Sequence, residues 1–196
     1  MPTRLFAKTR SQRLAIRLTI IILSLAVLLL GAYMGLRIYH DWKVDQAMAK
    51  IHEALVAQAT KDNLDPLLVE SIIRNESGGD PLAVSVDNAR GLMQLTPETE
   101  DLTRRRTGEL GHIHAVEPNL RMGCHFLKYL LGRFDGDVVL SIAAYHMGQN
   151  KVARLRQQNP NLTSQQIVDR FAGKKTRAYV KTVLETYTEL QSAPVL

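Results

Sequence analysis

Asp65-Pro66-Leu67-Leu68-Val69-Glu70-Ser71-Ile72-Ile73-Arg74-Asn75-Glu76-Ser77-Gly78-Gly79 is a segment with a marked beginning and a marked end. Asp65 offers a side-chain acceptor to the first free N–H groups, and Pro66 supplies the preset φ of a first helical position. The paired glycines stop the helix, which leaves Glu76 in its last turn. Similar signals recur downstream. Thr96-Pro97 is another cap and start, with Glu98, Glu100 and Asp101 near the positive helix end. Pro118 opens a longer segment with Leu120, Leu127, Leu130, Leu131 and Phe134 on a core face. Asp137 begins an apolar run closed by Gly148. Thr163 and Gln166 have capping-box spacing, and Tyr179, Val180, Val183, Leu184 and Tyr187 stripe a final helix. Upstream, Val44, Met48, Ile51 and Leu55 step by four, three and four, predicting a one-sided helix that ends near Thr60. Nothing longer than a short hairpin alternates with period two. The expectation is a nearly all-α domain over residues 46–191, with a small irregular or β-like excursion between Gly78 and Gln94.

Ahead of that domain, Leu18 to Leu36 carries no charge and is bounded by Arg17 and Arg37. As a helix it spans about 28 Å, close to the roughly 30 Å of a bilayer's hydrocarbon core. Residues 1–17 contain Arg4, Lys8, Arg10, Arg13 and Arg17 and no acid, whereas the far flank mixes Arg37 and Lys43 with Asp41 and Asp45. The positive-inside rule then predicts a cytoplasmic tail at 1–17, a transmembrane anchor at 18–36, a short stalk at 37–45 and an exported domain. Tyr33, Tyr39 and Trp42 cluster where interfacial aromatics sit. The competing reading, a cleaved signal peptide, meets an apolar run too long for it and no clear Ala-x-Ala site. Gly31-x-x-x-Gly35 would let two such helices pack closely.

The tail accounts for the basic pI, near 9.6. Five of the 25 Lys and Arg lie in it, and what remains carries 20 basic against 19 acidic residues. A nucleic-acid partner loses its support, since it needs a basic face on the folded domain. The lone cysteine, Cys124, excludes an internal disulfide and reads as a small core residue. His112, His114 and His125 lack metal-ligand spacing, so no metal or cofactor is expected.

Glu76 is the candidate for chemistry. The negative end of a helix disfavours a carboxylate and biases it toward the protonated form that a general acid needs. Glu70, six residues earlier, lies about 240° round the axis and cannot share a bond with it. Asp80 and Asp87 stand in the following loop, but Asp80-Pro81 has the sequence of a turn.

Glu76-Ser77, Ser85, Gly91-Leu92-Met93-Gln94 and Ala144-Tyr145-His146-Met147-Gly148 resemble, in order, the blocks of the lytic transglycosylases, lysozyme-like enzymes that cut peptidoglycan glycan strands. The resemblance extends from about Asn63 to Tyr187, taking in Glu117-Pro118-Asn119-Leu120 and Thr176-Arg177-x-Tyr179-Val180. It implies a mainly helical, lysozyme-like domain, which here follows the single N-terminal transmembrane helix read from residues 18–36. It also implies Glu76 as a single acid and base, Ser85 beside the substrate N-acetyl group, and Gln94, Tyr145 and Tyr179 as sugar-binding or acid-orienting groups. The local readings are that Ser85 stabilises a turn, Gln94 caps loop backbone and Tyr145 is a core aromatic. Gly91 would let backbone approach closely, and Met93 fills space. The implied reaction breaks the β-1,4 bond between N-acetylmuramic acid and N-acetylglucosamine and closes a 1,6-anhydro ring, without water. A lysozyme-type hydrolase and a catalytically weak scaffold of an envelope machine are the other readings. The implied place is the bacterial inner membrane with the domain in the periplasm, and the implied partners are glycan strands, that membrane and cell-envelope machinery. Four positions depart from the family pattern: His146 and Met147 stand for Asn-Ala, Thr96 for methionine, and Lys175 for glutamate.

Overall fold

The computed structural model describes residues 10–193, so Arg4 and Lys8 of the basic tail lie outside the described residues. Eight helices occupy the described chain: α1 Arg10–Lys61, α2 Pro66–Glu76, α3 Pro97–Thr107, α4 Val116–Arg133, α5 Val138–Met147, α6 Gln149–Gln158, α7 Ser164–Phe171 and α8 Lys174–Ser192. No named strand occurs among the described residues. Isolated bridges pair Val84 with Arg90 and Arg90 with Leu95, so the excursion expected between Gly78 and Gln94 is a small β-like knot.

The chain divides into two compact units at Asp45 and Gln46. In the first, every side chain from Leu18 to Leu36 is exposed, on a helix long and apolar enough to cross a membrane, with mean hydropathy 2.6. Tyr39 and Trp42 stack at 6.0 Å between ring centroids, and Lys43 Nζ lies 5.9 Å from the Tyr39 ring. Residues 37–45, the predicted stalk, are helical.

In the second unit the end of α1 buries Met48, Ile51, Leu55 and Ala59 on one face, while Val44 is only half-buried. The caps form as their chemistry dictates. Asp65 accepts from Leu67 N, Thr96 from Thr99 N and Asp137 from Leu140 N, and Thr163 and Gln166 complete a reciprocal capping box. Helix α4 begins two residues before Pro118, at Val116. A first-turn N–H has no intrahelical partner, so proline is tolerated there and did not mark the boundary. Its expected core face is buried at Leu120, Leu127, Leu130 and Phe134, and half-buried at Leu131.

Helix α5 is apolar nearly all round, which is the pattern of a helix surrounded by others. It buries Leu140, Ser141, Ile142, Ala143 and Ala144 and packs against α4, α6, α7 and α8. Helix α6, absent from the sequence expectation, follows Gly148 directly and buries one residue, Val152, so neither a cap nor an apolar stripe announced it. Helix α8 buries Val180 and Val183 and lies along α2. Two of its predicted stripe residues are phenols at the edge of this contact, with hydroxyls on opposite ends of α2: Tyr187 donates to Asp65 Oδ2 at 2.5 Å and Tyr179 to Glu76 Oε1 at 2.6 Å.

Candidate active site around Glu76

Glu76 is the last residue of α2, with Ser77 as C-cap and Gly78 and Gly79 following at φ of 62° and 83°. Burial pushes its carboxyl up to about 7, and the hydrogen bond from Tyr179 acts in the opposite sense. Burial outweighs that bond because no cation pairs with the carboxyl among the described residues. The helix terminus biases it in the same direction as burial. The group is therefore poised between donor and acceptor near neutrality, which general acid and base work both require. Two phenols face it. Tyr179 and Tyr145 are both pushed well above their ordinary value, mainly by burial and also by the charge of Glu76, and both remain protonated donors.

The segment Gly91-Leu92-Met93-Gln94 is held by three side chains, one at this helix end, one on α5 and one on α4. Ser77 Oγ donates to Leu92 O at 2.8 Å, Tyr145 Oη donates to Met93 O at 2.7 Å, and Met93 N donates to Asn119 Oδ1 at 2.9 Å. Asn119, fully buried on α4, also donates to Arg90 O and Ile113 O. Gly91 is required twice over: its φ is 75°, and a Cβ there would lie 2.2 Å from Asn119 Nδ2. Behind the segment, Met93 packs so closely on Gly123 that a Cβ on that glycine would meet its Sδ at 2.2 Å.

The predicted site residues thus fall into two groups. Glu76 and Tyr179 meet directly, across 103 positions of sequence. Tyr145 makes no hydrogen bond to either; it feels the charge of Glu76, donates to Met93 O and lies 5.3 Å from the Phe126 ring centroid. Gln94 adopts φ 45° and turns its Nε2 onto Ala83 O and Gly91 O, capping loop backbone. Ser85 Oγ accepts from Ala89 N at 3.0 Å and steadies a turn, while its own hydroxyl hydrogen is left uncommitted by that bond. The other carboxylates have separate employment. Glu70 pairs with Arg74 at 2.8 Å and Asp80 accepts from Leu82 N.

Sequence reasoning assigned no role to Asn119, whose signal was only its place within a resembling block. It also assigned no role to the contact that His146 makes. That ring lies 4.6 Å from the Tyr179 ring, and its Nδ1 is 3.1 Å from Thr176 Oγ1. Of the three other histidines weighed earlier, His114 bonds Pro81 O and lies 5.5 Å from His112, and no cluster of three metal-capable side chains occurs among the described residues. Cys124 is buried, and burial pushes its thiol up, so it is inert.

Comparison with known proteins adds to this geometry. The Transglycosylase SLT domain family matches residues 53–168. A putative soluble lytic murein transglycosylase of Haemophilus influenzae is 33% identical over 127 residues, covering 62% of this chain and 21% of that protein. An endo-type membrane-bound lytic murein transglycosylase A of Klebsiella pneumoniae is 42% identical over 73 residues, covering 34% of this chain and 36% of that protein. Among solved structures, an inactive mutant of lytic transglycosylase Slt from Pseudomonas aeruginosa superposes with TM-score 0.65 at 28% identity, covering 74% of this chain and 25% of that one. This chain therefore spans only about a fifth to a third of the length of these proteins.

Proposed function

From the premise that this chain belongs to the transglycosylase SLT family, we propose that it is a membrane-anchored lytic transglycosylase acting on peptidoglycan. The observation that carries the reading is Glu76: an acid with no carboxylate bonded to it among the described residues, held near neutrality by burial and touched by a phenol. Such a group gives its proton to the glycosidic oxygen between N-acetylmuramic acid and N-acetylglucosamine. The substrate's own acetamide supports the positive charge at the anomeric carbon, with the Ser85 hydroxyl beside it. Glu76, now a carboxylate, takes the proton of the muramoyl C6 hydroxyl, whose oxygen closes the 1,6-anhydro ring. Tyr179 and Tyr145 keep the carboxylate and the 91–94 segment in place through both transfers, and Gln94 holds the loop that carries Ser85.

Mass spectrometry of peptidoglycan digested with the purified protein tests this directly. The expected fragments end in 1,6-anhydro-N-acetylmuramic acid, one water lighter than a lysozyme product. Reducing ends alone would make the protein a hydrolase, and no fragments from folded protein would make it a scaffold.

The apolar helix supports retention in the inner membrane, with residues 1–17 in the cytoplasm and the catalytic unit in the periplasm. A reporter that fluoresces only in the cytoplasm is expected to light up when fused ahead of Met1 and to stay dark after Leu196. A mature N-terminus sequenced between Gly31 and Tyr39 would overturn the anchor.

A further inference from the structure

His146 lies in the last turn of α5 at a position where the family pattern has asparagine, so its place in the molecule is a property of this chain. The imidazole is solvent-exposed, yet two residues of α8 hold it. Its Nδ1 meets the buried Thr176 hydroxyl, and three residues further along the same helix its ring lies against the Tyr179 ring at an interplanar angle of 37°. Residues three apart on a helix share a face, so the imidazole spans one turn of α8, from hydroxyl to phenol. The far end of that phenol is on Glu76.

We propose that His146 is a positioning residue for Glu76, acting through Tyr179: the imidazole, pinned by Thr176, fixes the ring whose hydroxyl bonds the catalytic acid. This rests on the reading of Glu76 given above. Tyr179 stands at the edge of α8, half-buried, and its hydroxyl opposes the upward push of burial on Glu76. A ring held in one rotamer keeps that bond short and directed, and a ring free to turn loses it. The neutral imidazole suits the task, because a cation there would favour the ionised form of Glu76 and withdraw the acid. The part of the ring packed on α8 is desolvated, and this, with the adjacent Lys175, holds His146 below its ordinary value. The groups that meet at this corner are Lys175, Thr176 and Tyr179 from α8, Tyr145 and His146 from α5 and Glu76 from α2. Helix α5 also packs on α4, α6 and α7, whose titratable residues include His125, Arg154 and Asp169. Among the described residues none of those three hydrogen-bonds or pairs with His146.

The test compares full-length wild type, His146→Ala and His146→Phe in detergent. The Glu76 carboxyl is titrated by carbon NMR, and maximal rate and KM on peptidoglycan are measured from pH 5 to 9. For His146→Ala the titration midpoint of Glu76 is expected to rise by on the order of one pH unit, since a hydrogen bond that lowers it is lost. The alkaline fall of the rate should move with it. Maximal rate at pH 6 should drop about tenfold with KM unchanged within about twofold. His146→Phe keeps a ring against Tyr179 but loses the bond to Thr176, so it should fall between wild type and the alanine variant. An unmoved Glu76 midpoint in His146→Ala overturns the proposal, as does a change confined to KM or a His146→Phe variant as impaired as the alanine. A shifted midpoint in a protein that yields no glycan fragments would refute the transglycosylase reading while upholding the contact. Normal digestion with an unmoved midpoint would refute the contact alone.

Discussion

Replacing Glu76 with glutamine is expected to lower peptidoglycan turnover by roughly 100- to 10,000-fold, in a protein that is more stable than the parent. Glutamine keeps the shape and the acceptor for Tyr179, but it has no proton to give at working pH and no carboxylate to take one back. Both transfers use the same group, so the loss belongs at the upper end of that range. The stability gain has a definite sign. The Glu76 carboxyl sits at about 7 when folded and near 4.5 when exposed, so the folded state holds this proton more tightly. Between those values the folded protein binds more protons than the unfolded one, and stability falls as pH rises. Above pH 7 the full cost of burying the charge is present, and removing it should contribute roughly 1 to 3 kcal/mol. Wild-type activity should decline as pH rises through about 7. Thermal melts of wild type and Glu76→Gln should diverge across the same window and coincide near pH 4. Glu70→Gln provides the contrast. It breaks the ion pair with Arg74, so it should lower the melting temperature while most activity survives. A fully active Glu76→Gln would remove this residue from the chemistry and the mechanism with it.

Why Glu76 stood out in the sequence while its partners did not follows from range. Asp65-Pro66, Thr96-Pro97, Asp137 and the Thr163/Gln166 box act on N–H groups two or three residues away, so each helix start they mark is decided locally. Glu76 inherits its helix-end position from the same signals. The bond from Tyr179 depends on which face of α8 meets the end of α2, and that is settled by the burial of Val180 and Val183 at a distance. Helix α6 was illegible because Gly148 serves both as the cap of α5 and as the residue before α6, and because Val152 alone turns inward. For Gln94 the resemblance implies a sugar-binding group and the local reading a cap on loop backbone. Its positive φ turns the amide back onto Ala83 and Gly91, which is the local reading. The resemblance named Glu76 and Tyr179, and only the packing of α2 against α8 makes them partners; Ser85 and Gln94 find theirs within the loop.

The second large effect lies on the scaffold of the site. Asn119→Ala should lower unfolding stability by about 2 kcal/mol or more, because it leaves two buried backbone groups without partners, Met93 N–H and Ile113 C=O, and takes one of two donors from Arg90 C=O, which keeps Leu95 N. Each such group costs about 1 to 3 kcal/mol, and the terms do not add fully, since a loosened loop recovers some of them. Asn119→Asp should not restore the loss. The carboxylate still accepts from Met93 N, but it sets negative oxygen against two carbonyl oxygens in a site with no exposure. Urea denaturation should show a lower midpoint at unchanged slope, and amide exchange at Met93 should quicken more than at Leu127 in the α4 core. The consequence reaches the acid through contacts already described. Leu92 O is the acceptor for Ser77 beside Glu76, and Met93 O is the acceptor for Tyr145. Once the segment slackens, both bonds lengthen, and activity should fall at temperatures where the protein is still folded. A loss of stability below about 1 kcal/mol would show that water takes over the asparagine's bonds, and that the 91–94 segment is held from the Ser77 and Tyr145 side alone.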